Sequence, residues 1–433
     1  MNLTDIDDGI DNYLSTHVPE IAETICRLVS IPSMTGDEAA AQRFMHELYS
    51  SLNLEVISLE ADIERLRKHS AFVPSNWSYE GRPNIVGILH GATSARSLIL
   101  NGHIDVVSPE PVGEWSVPPW EGRVIGNKVY GRGACDTKGG LVASFYALKC
   151  LIELGLRLQG TVILQSVIEE EPLAGGGTLA CLAQGITADG MIVVEPNQEV
   201  VLTLAHTGIL FFRVRVLGRP AHAGLSHLGV NAIGKLNRIY DELMDLDQAR
   251  ATRVHDPIFE RDHPRSCHLN IGTYRAGDSS TTVAGWAEIE CRMSYIPDED
   301  PEGVKSQVEQ AIDRVVQHDD WLASHPPEIT WMKRGAIAWK QDPQHPFAEM
   351  LKSVMGQVMG TKVEVVGVPW GMDSRFAGLF NIAAATIGPT GRNFHGIDEY
   401  VELDSVVNCA KVLAMFTSRW CGTYDDQRGS LRT

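Results

Sequence analysis

The chain has no long apolar run, no C-x-x-C pair, no internal repeat and no low-complexity stretch. Each absence narrows the field. Without about 20 consecutive apolar residues, nothing reads as a membrane-spanning helix. The eight cysteines (26, 135, 150, 181, 267, 291, 409 and 421) are scattered, several of them inside apolar stretches. They read as reduced, mostly buried small hydrophobes, not as a disulfide frame or a thiolate zinc site. Basic residues are few: 37 Lys and Arg face 55 Asp and Glu, a formal net charge of −18. A surface that negative argues against nucleic acid or an anionic membrane as the main partner. The opening MNLTDIDDGIDNYLS lacks a basic n-region and an apolar h-region, so no secretory signal is expected and the default is a cytoplasmic enzyme.

What is present is a soluble globular composition, 44% hydrophobic and 21% charged over 433 residues, long enough for two or three domains. Helical patterns over Ile10–Ile31 and Asp37–Leu52 precede an alternation of apolar strands and helices. The strands are Asn84–Leu89, Ser97–Asn101, Thr161–Ile168 and Gly190–Val194; the helices are Gly139–Leu154 and Thr178–Gln184. That alternation predicts an α/β domain with a mainly parallel sheet covered on both faces. From Leu210 the residues alternate apolar and charged, and the predicted order becomes β-α-β-β-α-β, that of a ferredoxin-like domain. After Pro343 the α/β character returns. The expected division is therefore residues 1–207 and 336–433 in one α/β domain, with 208–335 as an insert.

Residues able to do chemistry cluster at predicted strand ends, where open α/β sheets place their sites. Asn101-Gly102-His103-Ile104-Asp105 puts His103 and Asp105 on one face of extended chain. That arrangement suits an imidazole ligand backed by a carboxylate, and equally a polar turn. The Gly-rich turn Gly131-Arg132-Gly133-Ala134-Cys135-Asp136-Thr137-Lys138-Gly139-Gly140 fits neither phosphate-binding pattern, and offers Asp136, whose two oxygens can bridge two cations. Glu169-Glu170-Glu171 follows a buried strand and precedes a flexible Gly run. Three adjacent carboxylates there need cations or protons nearby; the bland alternative is a solvated loop. Glu195 ends the MIVV strand and His395 follows IAAATI. Aspartate, glutamate and histidine without cysteine suit zinc, cobalt or manganese in a hydrolytic site.

The segments NGHIDVV, VYGRGACDTKGG, SVIEEE, VVEPN, GRPAHAG and GRNFHG resemble the signature segments of the M20 metallopeptidase and amidohydrolase family. That family includes acetylornithine deacetylase and succinyl-diaminopimelate desuccinylase. The resemblance runs from about residue 20 to the C-terminus. It implies a zinc-peptidase-like catalytic domain interrupted by a lid through which two subunits form a homodimer. It also implies two divalent metal ions, zinc first with cobalt or manganese as alternatives: His103, Asp136 and Glu195 around one, and Asp136, Glu171 and His395 around the other. Asp105 would orient His103, and Glu170 would be the general base, although a run of three glutamates leaves the register open by one residue. His222, in Gly218-Arg219-Pro220-Ala221-His222-Ala223-Gly224, matches the family histidine that reaches the partner subunit's active site. Asn270, Arg292 and Arg375 resemble family residues near the substrate's carboxylate. The implied activity is hydrolysis of an amide in an N-acylated amino acid or related small amine. The alternatives are a carboxypeptidase or dipeptidase, and a non-catalytic dimeric binding protein. The segment Glu64–Glu80, with Trp77 and Tyr79, reads either as a substrate-shaping lid or as packed surface.

Overall fold

Apolar strands buried on both faces stack side by side in the computed structural model, which describes residues 3–197 and 200–424. Residues 1–2 and 425–433, the outer ends of the two expected catalytic segments, lie outside the described residues. The chain divides into two compact units. One comprises Met1–Leu204, Gln341–Val365 and Asp373–Thr433, and the other Ala205–Lys340 and Val366–Met372.

In the first unit, four parallel neighbours form the centre of the sheet: Gly160–Val167, Ala95–His103, Gly190–Val194 and Ala383–Ile387. Both flanks are antiparallel. Asn84–Leu89 pairs with Gly160–Val167 and with Glu55–Leu59, and Thr203 pairs with Thr386 on the far side. The sheet is thus parallel at its centre, as the sequence predicted, with antiparallel strands added at both flanks. A fully buried strand reads as the same apolar run whichever way it points, so periodicity reveals the strand and not its direction. Helix Gly139–Glu153, buried along nearly its whole length, packs against helix Leu403–Trp420. An all-round apolar helix of this kind belongs inside an α/β layer. The predicted Ile10–Ile31 helix is two helices, Leu3–Thr16 and Val18–Val29, broken at His17. Pro19 opens the second, where its missing N–H costs nothing.

The second unit is a four-stranded antiparallel sheet ordered Leu269–Ala276, Trp286–Tyr295, Gly208–Leu217 and Glu328–Ala336. Helices Ala232–Ala251 and Pro301–Gln317 intervene in the chain to give β-α-β-β-α-β. Phe212, Val214, Val216 and Ile289 point into a core with Leu236, Ile239, Val308 and Ile312. The alternate residues Arg213 and Arg215 lie against Glu288 on the other face (3.6 and 3.5 Å), the two-faced pattern of a half-wet sheet. Val366–Met372 joins this unit although it lies in the expected third segment; the Thr207 amide donates to the Val368 carbonyl (3.0 Å). All eight cysteines are free thiols, seven of them buried. Among the described residues no helix is long and apolar enough to cross a membrane.

Candidate metal centre

The parallel strand ending at His103 is buried over its last six residues, so its imidazole enters the site from the interior. His103 Nδ1 donates to the main-chain carbonyl of Asp105 (2.8 Å), which directs Nε2 toward Asp136 Oδ1 (3.1 Å) and Glu195 Oε2 (3.6 Å). The expected partnership of His103 with the Asp105 carboxylate is looser, at 3.6 Å. That carboxylate instead accepts the amides of Glu170 (3.2 Å) and Glu171 (3.3 Å) and the Thr35 hydroxyl (3.0 Å). Asp105 therefore orients His103 through its backbone and fixes the glutamate run through its side chain. Burial pushes the Asp105 carboxyl up to about 8, against the pull of His103.

The glutamate run separates into three environments. Glu169, turned by a positive φ of 64°, points away into a buried ion pair with Arg82 (2.8 Å), whose guanidinium also grips Glu38 (2.6 Å). Glu170 lies 3.6 Å from Arg375. Glu171 Oε2 meets His395 Nε2 at 2.9 Å. Asp136, at the turn opening helix Gly139–Glu153, presents one oxygen to each side: Oδ1 to His103 and Oδ2 to His395 (3.3 Å). Two groups with ligand geometry result, His103–Asp136–Glu195 and Asp136–Glu171–His395, with donor atoms within 4.8 Å of one another in each.

The electrostatics are those of a cluster in need of positive charge. Burial pushes the Glu195 carboxyl up to about 7, with His103 opposing and Asp136 reinforcing. Burial, Glu195 and Asp373 push Glu170 well above the usual carboxylate range, against His103 and Arg375. Burial disfavours the charged ring of His103, yet Glu195 and Asp136 raise it well above its ordinary value. Asp136 and Glu171 hold the His395 imidazole up at about 10. Among the described residues, Glu171 Oε1 and Glu195 Oε1 are buried without a hydrogen-bond partner. Orphaned oxygens on carboxylates whose other oxygen faces an imidazole, with no thiolate among the donors, are what a pair of divalent cations would satisfy.

Arg375, expected to grip a substrate carboxylate, is buried beside two carboxylates of the chain itself. It is 2% exposed and lies against Asp373 (3.2 Å) and Glu170 (3.6 Å). Asp373 is in turn fixed by the Thr178 hydroxyl (2.6 Å). The Arg375 Nη1, the atom nearest Glu170, is buried without a hydrogen-bond partner among the described residues. Three candidates lie in the second unit. His222 is exposed, and its Nδ1 accepts the Gly224 amide (3.1 Å). Asn270 and Arg292 are cross-strand partners, Asn270 exposed and Arg292 half-buried with Nη2 donating to the Pro369 carbonyl (2.8 Å). The sequence reading missed Glu399, a buried carboxylate accepting the amides of Gly133, Cys135 and Asp136 and an Arg132 Nη1–H. Its place four residues after His395 was the available signal. The Glu64–Glu80 segment packs inward through the Val73 carbonyl, which accepts the Gly175 amide (3.1 Å).

The sequence pattern of peptidase family M20/M25/M40 matches residues 99–419. The chain is 30% identical over 362 residues to the N-formyl-4-amino-5-aminomethyl-2-methylpyrimidine deformylase of Halalkalibacterium halodurans, covering 79% of this chain and 84% of that protein. It is 26% identical over 343 residues to the succinyl-diaminopimelate desuccinylase of Bradyrhizobium sp. (strain ORS 278), covering 76% and 84%. Among solved structures, the dipeptidase Dug1p of Saccharomyces cerevisiae superposes with a TM-score of 0.73 over 97% of this chain and 99% of that one, at 15% identity. At that identity the likeness is one of fold. This chain belongs to peptidase family M20/M25/M40 and is a metal-dependent hydrolase of amide bonds.

Proposed function

We propose that the protein removes the acyl group from an N-acylated amino acid or related small amine, with one divalent cation on each side of Asp136. The observation carrying this reading is the split of the Asp136 carboxylate between two ligand groups. His103 and Glu195 would complete one site, and Glu171 and His395 the other. The donor set suits zinc first, then cobalt or manganese. Bound there, such ions would bring a water's pKa toward neutrality and polarise the acyl carbonyl.

Glu170 is the base of this reading. It lies 3.6 Å from Arg375, close enough to Glu195 and His103 to feel their charge, and its Oε1 makes no hydrogen bond. Its raised affinity for a proton suits a group that takes one from water and returns it to the leaving nitrogen. Asp105 holds it in place from the backbone side. His222 is assigned to the oxyanion of a partner subunit's site. With Nδ1 accepting an amide hydrogen, the neutral ring carries its proton on Nε2, the donor an oxyanion needs. Asn270 and Arg292 are assigned to a carboxylate on the substrate. A cytoplasmic homodimer formed through the second unit completes the reading. Eight free thiols suit a reducing compartment, and strand Leu269–Ala276 lies at the end of its sheet.

Deacylation is preferred to peptide hydrolysis because relatives aligned over most of their length carry deformylase and desuccinylase names. The test is a panel of N-formyl, N-acetyl and N-succinyl amines and amino acids beside dipeptides, assayed with added zinc and with chelator. Turnover of acylated amines that chelator abolishes is expected. Activity confined to dipeptides would remove the deacylase reading, and full activity in chelator would remove the metals.

A further inference from the structure

Among the described residues, one buried carboxylate ties together two ligand-bearing segments that are far apart in sequence. Glu399 Oε1 accepts the main-chain N–H of Cys135 (2.9 Å) and of Asp136 itself (3.1 Å). Its Oε2 accepts the Gly133 N–H (3.0 Å) and Arg132 Nη1–H (2.6 Å). Arg132 reaches on through Nη2 to the Gly396 carbonyl (2.9 Å), the residue after His395. Both side chains are buried, Arg132 2% exposed and Glu399 fully enclosed. His395 has no such burial. Its side chain is 55% exposed, and its backbone sits at φ 62°, a region a non-glycine residue holds only when its surroundings impose it. Its ring meets Glu171 and Asp136 (2.9 and 3.3 Å), and its main chain is tied through Gly396 to Arg132.

We propose that Glu399 and Arg132 are positioning residues for the metal centre, acting unequally on its two halves. Glu399 sets the Asp136 main chain and so bears on both cations. Arg132, through its second prong to Gly396, sets the His395 segment, and that prong bears on the Asp136–Glu171–His395 cation alone. A glutamine at 399 would turn an NH2 toward donors that need an acceptor; a lysine at 132 keeps the charge beside Glu399 but loses the second prong to Gly396. The inference rests on the two-cation reading above.

The experiment is zinc competition against a chromophoric chelator, with thermal unfolding by circular dichroism confirming that each variant is folded. The wild type should bind two zinc ions. Glu399→Gln should weaken both, by roughly 10- to 100-fold. Arg132→Lys should weaken one by a similar factor, and in a His395→Ala background should leave the remaining ion's affinity unchanged. If Arg132→Lys binds both ions as the wild type does, or still weakens the remaining ion in the His395→Ala background, the assignment is overturned. If the wild type binds no zinc, the two-cation reading falls with it.

Discussion

The two halves of the metal centre are built by different means. The His103–Asp136–Glu195 half stands on ends of central parallel strands, and its histidine side chain is 1% exposed. The Asp136–Glu171–His395 half draws on loops, and its histidine is 55% exposed. A strand end inherits its position from a whole sheet; a loop holds a side chain only as well as a few hydrogen bonds do. The strand-end half should therefore keep its cation longer, and the loop half should exchange.

The strongest test removes what the halves share. Asp136→Ala should leave neither ion bound and no turnover, read by metal content per chain; retention of one ion would show that the halves are independent. Glu170→Gln comes next, with kcat down about 10²- to 10⁴-fold and both ions kept. Loss of the loop-half ion there would shift the glutamate register by one and rewrite that half. His395→Ala should lose one ion and keep the other, whereas His103→Ala should lose the ion that dissociates more slowly from the wild type; a weak chelator followed over time distinguishes them. The smallest effect concerns pH. Glu195 and Asp105, pushed up to about 7 and about 8, bind protons more tightly folded than unfolded. Protein stripped with chelator should therefore lose stability as pH rises from the ordinary carboxylate range through about 8. Melting curves between about pH 5 and about pH 8 should show the decline, and zinc should flatten it. A Tm that rises over that range in chelator would mean the carboxylates are better compensated than their burial implies.

Much of this centre was legible because His103, Glu171, Glu195 and His395 come after apolar runs whose ends converge in a parallel sheet, and Asp136 stands in a Gly-rich turn. The β-α-β-β-α-β order was legible for a similar reason, since half-wet strands and amphipathic helices carry different periods. The antiparallel direction of the flanking strands was not, because an apolar run has no polarity. Pairings across the chain were hidden too. Arg132 and Glu399 are 267 positions apart, and Arg82 and Glu169 are 87 apart; neither segment announces its partner.

Arg82, at the foot of the Glu64–Glu80 excursion, sits between Glu38 and Glu169 in the interior. Lifting it would strand two anions in a poorly solvated pocket, a penalty of about 3–5 kcal/mol by the usual cost of breaking a buried pair. The base of the excursion is thus pinned and cannot swing as a hinged flap.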